Sequence, residues 1–463
     1  MDNQLSKRTF AQIFLALVVA AIAVSPPTAG AGLSAQFGAA TNFPCVSSPQ
    51  SLIAADFNHD GKPDIVVAGY GTVGVLRGLG NGAFGAQTNY FLSTQHGLAA
   101  GDFNNDGNND LIGLNYSDGS VLLGDGKGNF PARTNLSLYY PAGYPSGMAI
   151  ADFNGDGKLD LAIADDTYRY VAIALGRGDG SFVLPTTNYF ALTNQPSGVN
   201  AVDINGNGRL DLVVSLGENS TSTNSFCVIL NKGDGTFVAP QYYAAGSNGD
   251  YHESLELGDF NNDGKLDISV LNYNAKSVTI WLNAGTGNFA LAHGYALGFS
   301  PTTIAGGDFN GDGKTDLVIR GGLAAKVLLG NGDGSFTVGN QMSVPDDVES
   351  IYGDHHGATK GIVVNDFDGN GTPDLAFVNY SSNAVTIMLN QTPPILQFAL
   401  LAGYNQITWL AGFGAGYTLE YTTNLSTPDG WQPFPYPPVV IGNQKAVADW
   451  ATGEQKFYRL RKP

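Results

Sequence analysis

Cysteine is nearly absent: Cys45 and Cys227 are the only two in 463 residues, and they stand far apart. Two thiols cannot make a disulfide framework, so both are read as small buried hydrophobes. Charged residues are also scarce, at 13% against about 25% in an ordinary soluble domain. Basic residues are the rarer sign, 22 Lys and Arg against 40 Asp and Glu, and the net charge of −18 argues against nucleic acid or an anionic membrane as partner. After residue 24 no apolar run is long enough to cross a bilayer. The chain has no nucleophile elbow, zinc-protease helix motif, P-loop or dinucleotide fingerprint. Its Gly-rich turns precede strands rather than helices, so they lack the context that cradles phosphate.

What is abundant is glycine, 62 residues, which points to many turns and short strands. At the start, Lys7 and Arg8 precede an apolar run from Ile13 to Val24 and small residues near Ala29 and Ala31. That order predicts a secretory signal peptide over residues 1–31, no membrane span after its removal, and a secreted or cell-surface protein.

The stretch "DFNHDGKPD" at Asp56 recurs at Asp102, Asp152, Asp203, Asp259, Asp308 and Asp366, at spacings of 46 to 58 residues. A self-similar period of that size belongs to a solenoid, propeller or array. A Gly-rich turn keeps the same period, as in "GLGNGAF", "GDGKGNF" and "GNGDGSF", and reads as a hairpin connection. Each unit is therefore strand, acidic loop, strand, turn, strand, Gly-rich turn, strand, the make-up of a propeller blade. There are seven acidic loops and six Gly-rich turns, and the seventh unit stops at "VTIMLNQTPP" without a fourth strand. "QFGAATNF" from Gln36 matches "AFGAQTNYF" from Ala83, so the N-terminal segment supplies the missing strand and closes the ring. The expected architecture is all-β: a seven-bladed β-propeller over residues 34–390, a linker at 391–394, and a small fibronectin-type sandwich over 395–463.

In each loop, D-x-N-x-D-G-x-x-D sets oxygen ligands at positions 1, 3, 5 and 9, with Gly at 6 for the sharp turn. These are Asp56, Asn58, Asp60 and Asp64; Asp102, Asn104, Asp106 and Asp110; Asp152, Asn154, Asp156 and Asp160; Asp203, Asn205, Asn207 and Asp211; Asp259, Asn261, Asp263 and Asp267; Asp308, Asn310, Asp312 and Asp316; Asp366, Asp368, Asn370 and Asp374. Calcium takes six to eight such oxygens, whereas Mg²⁺ prefers fewer protein ligands and retained waters. An EF-hand needs Glu at position 12, where these loops carry Val67, Gly113, Ile163, Val214, Val270, Ile319 and Phe377. The bland alternative is that Asp and Asn only form turns. Against it, the loops hold twenty of the chain's 40 acids. Up to seven structural Ca²⁺ are expected, with the fourth loop, which has two carboxylates, binding most weakly.

The "DFNxDGxxDL" core followed by "GxGxF" resembles the FG-GAP and VCBS repeats, the blades of the integrin α-subunit head and of many secreted bacterial propellers. The resemblance implies a propeller whose loops bind calcium on one face, with positions 1, 3, 5 and 9 as ligands; Asn207 and Asn370 depart from it at position 5. It implies no single activity.

The opposite face collects the blade-to-blade connections and the turns between middle strands, where ligands usually bind. Tyr144, Tyr168, Tyr251 and Tyr352 are the candidate ligand-binding residues there, since flat aromatic surfaces with polar neighbours suit sugar rings. Asn-Tyr recurs at 115, 272 and 379, so Tyr116, Tyr273 and Tyr380 read as framework. The longest connection, from Phe336 to Asp366, carries Asp354, His355 and His356; with His252 these are the candidate acid and base residues. The leading expectation is a monomeric binding or adhesion module for carbohydrate or an extracellular protein. The alternative is an extracellular polysaccharide lyase or glycoside hydrolase, and a third reading is a passive spacer presenting the C-terminal domain.

Overall fold

The computed structural model describes residues 34–461. Excepted are 95–96, 116–118, 137–142, 184–188, 218–223, 245–253, 345–360, 394–395, 402–403, 411–416, 425–429, 442–443 and 451–454. The expected signal peptide and the candidates Tyr251, His252, Tyr352, Asp354, His355 and His356 lie outside the described residues.

Among the described residues every element is a strand, and no helix is long and apolar enough to cross a membrane. Each repeat folds as an antiparallel sheet in sequence order; the first is Ser51–Ala55, Asp64–Gly69, Thr72–Leu76 and Thr88–Phe91. The next five begin at Gly97–Gly101, Pro145–Ala151, Pro196–Val202, Leu255–Gly258 and Thr303–Gly307. In the third sheet Phe182–Val183 and Tyr189–Ala191 both pair with Tyr170–Gly176 on the outer side, with residues 184–188 between them outside the described ones.

The seventh sheet holds Ile362–Asn365, Asp374–Asn379 and Ala384–Met388, and its outer strand is Thr41–Pro44 from the other end of the chain. The register runs from Thr41 opposite Ile387 to Pro44 opposite Ala384, and Phe37 bridges Asn390. The expected closure by the N-terminal segment is thus present.

Alternation within a strand decides how the sheets pack. Ile65 and Val67 pack with Ala376, Val378 and Val385 of the seventh sheet, while Val66 and Ala68 pack with Leu111 and Leu122 of the second. The second strands read as unbroken apolar runs because both faces are covered. Seven such clusters occupy the seven junctions between neighbouring sheets, including that between the last and the first. The sheets therefore form a closed ring, a β-propeller.

Cys227 is buried in the cluster between the third and fourth sheets, Cys45 is half-buried beside that between the seventh and first, and both thiols are free. Beyond the ring, two further sheets share one core. Gln397–Leu401, Tyr404–Leu410, Gln444–Trp450 and Val439–Ile441 pair in that order, and Gln432–Pro433, Thr418–Thr422 and Phe457–Arg461 form the second sheet. Ile407, Trp409, Leu419 and Val447 fill the space between them.

Candidate metal centres and the opposite face

In every repeat the second strand starts on the aspartate at position 9, and all seven of these carboxylates are fully buried. One oxygen accepts the amide of position 2 at 2.8–3.3 Å, in Phe57, Phe103, Phe153, Ile204, Phe260, Phe309 and Phe367. The other accepts an amide at the close of the third strand at 2.7–2.8 Å, from Gly78, Gly124, Gly176, Asn231, Asn283, Gly330 and Asn390. Position 9 therefore ties the acidic loop to the hairpin behind it.

The rest of the loop is built from short side-chain-to-backbone bonds. At position 1, one aspartate oxygen accepts the amide of the position-6 glycine at 2.7–2.9 Å. Its second oxygen accepts the amide of position 5 at 3.0–3.2 Å. The side chain at position 3 accepts that same amide. Position 5 in turn accepts the amide of position 7. The glycine at 6 sits at φ between 80° and 86°, a conformation that a Cβ disfavours.

These bonds gather the side chains at positions 1 and 3 around the backbone amide of position 5 in each loop, but in the five loops with aspartate at positions 1, 5 and 9 the three carboxylates do not all come within 4.8 Å of one another. Burial pushes the position-9 carboxyls up, that of Asp160 to about 6, Asp374 to about 7 and Asp316 to about 8, and the carboxylates at positions 1 and 5 or 3 push the same way. In four loops Lys at position 7 reaches the acid at position 5: Lys62–Asp60, Lys158–Asp156, Lys265–Asp263 and Lys314–Asp312, at 3.3–4.0 Å. In the seventh loop Asp366, Asp368 and Asp374 offer one oxygen each within 4.8 Å of one another, close enough to share a cation.

Each acidic loop is also gripped by the following blade. The position-2 carbonyl accepts from Gly128, Gly180, Gly334 and Gly82 amides at 2.9–3.0 Å, the last joining blade one to Phe367 of blade seven. At the other three junctions an asparagine side chain donates to that carbonyl: Asn231 to Phe153, Asn283 to Ile204 and Asn390 to Phe309. Beside these bonds, Phe57 meets Phe130 edge to face, and the pattern repeats in Phe103–Phe182, Phe153–Phe237, Phe260–Phe336 and Phe367–Phe84. Phe309 meets Phe37, which takes the place of the missing seventh turn phenylalanine.

On the opposite face Tyr144 and Tyr168 stand together and exposed, at 40% and 49%. The Asp166 amide donates to the Tyr144 carbonyl, the Tyr144 amide to Thr167 Oγ1, and the Tyr168 amide to Asp165 Oδ1. Tyr168 stacks on Tyr170 at 6.3 Å. Asn272 and Asn379 end their strands buried, with Nδ2 bonded to hydroxyls of the third strand, Ser277 and Thr279 for one and Thr386 for the other. Asp165 holds the equivalent place in blade three, also fully buried, where the facing residues Tyr170 and Ala172 put no aliphatic hydroxyl opposite it.

Fold and loops together define a repeat-built propeller with an oxygen-rich turn in each blade. Six segments, 56–113, 102–163, 152–214, 220–270, 259–319 and 308–377, match the FG-GAP-like repeat, and the chain belongs to that family. No curated protein matches it. Among solved structures it is similar to an Agrocybe aegerita lectin, described as recognising non-reducing terminal N-acetylglucosamine, at 20% identity over 64% of this chain and 80% of that one, with a TM-score of 0.47. It is also similar to BBS1N in its complex with ARL6DN, at 10% identity over 77% of this chain and 96% of that one, TM-score 0.53. At such identities the likeness concerns the fold alone.

Proposed function

We propose that the protein is a secreted, calcium-binding β-propeller that serves as a recognition module for carbohydrate or an extracellular protein. The fourth loop supports the calcium reading. There Asn207 replaces the acid at position 5, yet its Oδ1 accepts the Arg209 amide at 2.8 Å, as Asp60 accepts Lys62 at 3.0 Å. A neutral amide thus holds the turn as well as a carboxylate does, so the turn does not require the acid that five other loops carry. Negative charge in a nest of oxygen atoms is what a hard cation uses. Positions 1, 3, 5 and 9 would hold Ca²⁺, and the ion would offset repulsion among carboxylates while leaving the chemistry of the opposite face untouched.

For the ligand, the supporting observation is the paired exposure of Tyr144 and Tyr168 on one knitted corner. Rings with an accessible face and polar neighbours fit the apolar face and hydroxyl rim of a sugar. The test is size exclusion of the protein with a panel of polysaccharides, using carbohydrate detection. Co-elution of intact glycan, lost in the Tyr144→Ala, Tyr168→Ala double variant, is expected. Shortened glycan would show an enzyme instead, and unaltered profiles throughout would turn the search to protein ligands.

A further inference from the structure

The seventh acidic loop departs from the other six in a way that its place in the ring explains. Positions 5 and 7 are Asn370 and Thr372, neutral donors, where most other loops carry Asp and a basic residue. Asn370 Nδ2 and Thr372 Oγ1 both donate to the main-chain carbonyl of Asn390, at 3.4 and 3.2 Å. An aspartate at position 5 would have no proton to give. The acid lost there is regained at position 3, where Asp368 replaces asparagine, and among the described residues this is the loop whose three carboxylates, Asp366, Asp368 and Asp374, converge.

Asn390 is where three parts of the ring meet. Its amide donates to Asp374 Oδ1 at 2.7 Å, and its side chain donates to Phe309 of blade six and accepts from Thr392. It is also the bridge partner of Phe37, one residue before Gly38, whose amide donates to the Leu389 carbonyl at 2.8 Å. Gln36 completes the join, donating to Thr392 Oγ1 and accepting from the Gln391 amide.

We infer that the seventh loop is the clasp of the ring: a cation held by Asp366, Asp368 and Asp374 fixes Asn390 and thereby retains the N-terminal segment, residues 36–44, with its strand Thr41–Pro44. The inference rests on the calcium reading above. Because coupling is reciprocal, docking of the strand also tightens the seventh site relative to the same loop without it. The other six loops belong to sheets whose strands all follow one another in sequence; apart from the sixth, whose Phe309 packs on Phe37, loss of their cation leaves residues 36–44 in place.

Hydrogen exchange of the intact protein, read on peptides covering 36–44, tests this alongside a calorimetric calcium titration. Chelation should speed exchange there roughly tenfold or more. Asp368→Asn should do so in saturating calcium, whereas Asp156→Asn, which likewise takes one carboxylate from the third loop, should not. Asn370→Asp supplies a further ligand but removes the donor to Asn390, so it should bind calcium while the response of residues 36–44 shrinks. Equal acceleration by D156N and D368N overturns the clasp. So does bound calcium that leaves 36–44 unchanged, in which case the calcium reading stands alone; a titration with no bound calcium removes both.

Discussion

The amide of Gly82 lies 2.9 Å from the carbonyl of Phe367, so the first Gly-rich turn grips the last acidic loop. This bond closes the ring on the acidic face, while Thr41–Pro44 closes it at the rim of the seventh sheet. Gly82 adopts φ 75°, and a Cβ there would lie 2.8 Å from Leu389 Cδ1. Gly82→Ala is therefore expected to cost about 2 kcal/mol, part backbone strain and part repacking. Gly298→Ala, at φ 86° with nothing within 4 Å, should cost about 1 kcal/mol. Denaturant midpoints of the two variants make the comparison.

Calcium should raise the melting temperature, and chelation should lower it. Each site saturated to about a hundred times its dissociation constant adds about 2.7 kcal/mol. Asp156→Asn should remove one ion from the stoichiometry, whereas Asp203→Asn in the two-carboxylate fourth loop should change it least. Isothermal titration of the variants, paired with calorimetric melting, reads both.

Asn283 donates to Ile204 and Leu266 carbonyls at 2.7 and 3.0 Å and accepts the Gly285 amide at 2.8 Å. Replacing it by alanine strands two carbonyls at the junction of blades four and five, a loss of about 2–3 kcal/mol. Unfolding of Asn283→Ala by urea should show it, with an unchanged slope if the ring still melts as one unit.

Asp165 sets a pH dependence of known sign. Burial, reinforced by the charge of Asp166, raises its carboxyl to about 6, above an unfolded value of about 3.9. The folded state thus binds the proton more tightly. This contribution is fully present below about pH 4 and is lost as pH rises through about 6. Asp165→Asn, which installs the residue found at Asn272 and Asn379, should stabilise the protein at neutral pH by up to about 3 kcal/mol. That gain should fade as pH falls toward 4; melting curves at both pH values decide it.

Much of the ring was readable because a period of about fifty residues repeats its chemistry at every turn. The similarity of "QFGAATNF" to "AFGAQTNYF" marks the N-terminal segment as the outer strand of the last blade, whereas the contact of Phe37 with Phe309 is visible only in the fold. Position 9 was harder: from spacing alone Asp64 is another ligand, and only the fold shows its two oxygens spanning Phe57 and Gly78. The junction asparagines Asn231, Asn283 and Asn390 also escaped notice, because glycine occupies the same place in the other blades and the bond then comes from a different atom. Tyr144 and Tyr168 are far enough apart in sequence that their shared corner depends on the loop conformations around Asp165 and Thr167. The candidate acid and base residues fall in connections that follow no repeat, where periodicity gives no guidance.

The seventh sheet imposes an order of assembly on the chain. Thr41–Pro44 leaves the ribosome before any of its three partners, and the Thr386–Asn42 hydroxyl-to-amide bond spans 344 residues. Whatever local hairpins form during synthesis, this strand must wait until Ala384–Met388 has emerged. The last step of folding is thus a long-range search by the oldest segment, the kind of contact that slows folding most and leaves an unpaired edge open to other chains meanwhile.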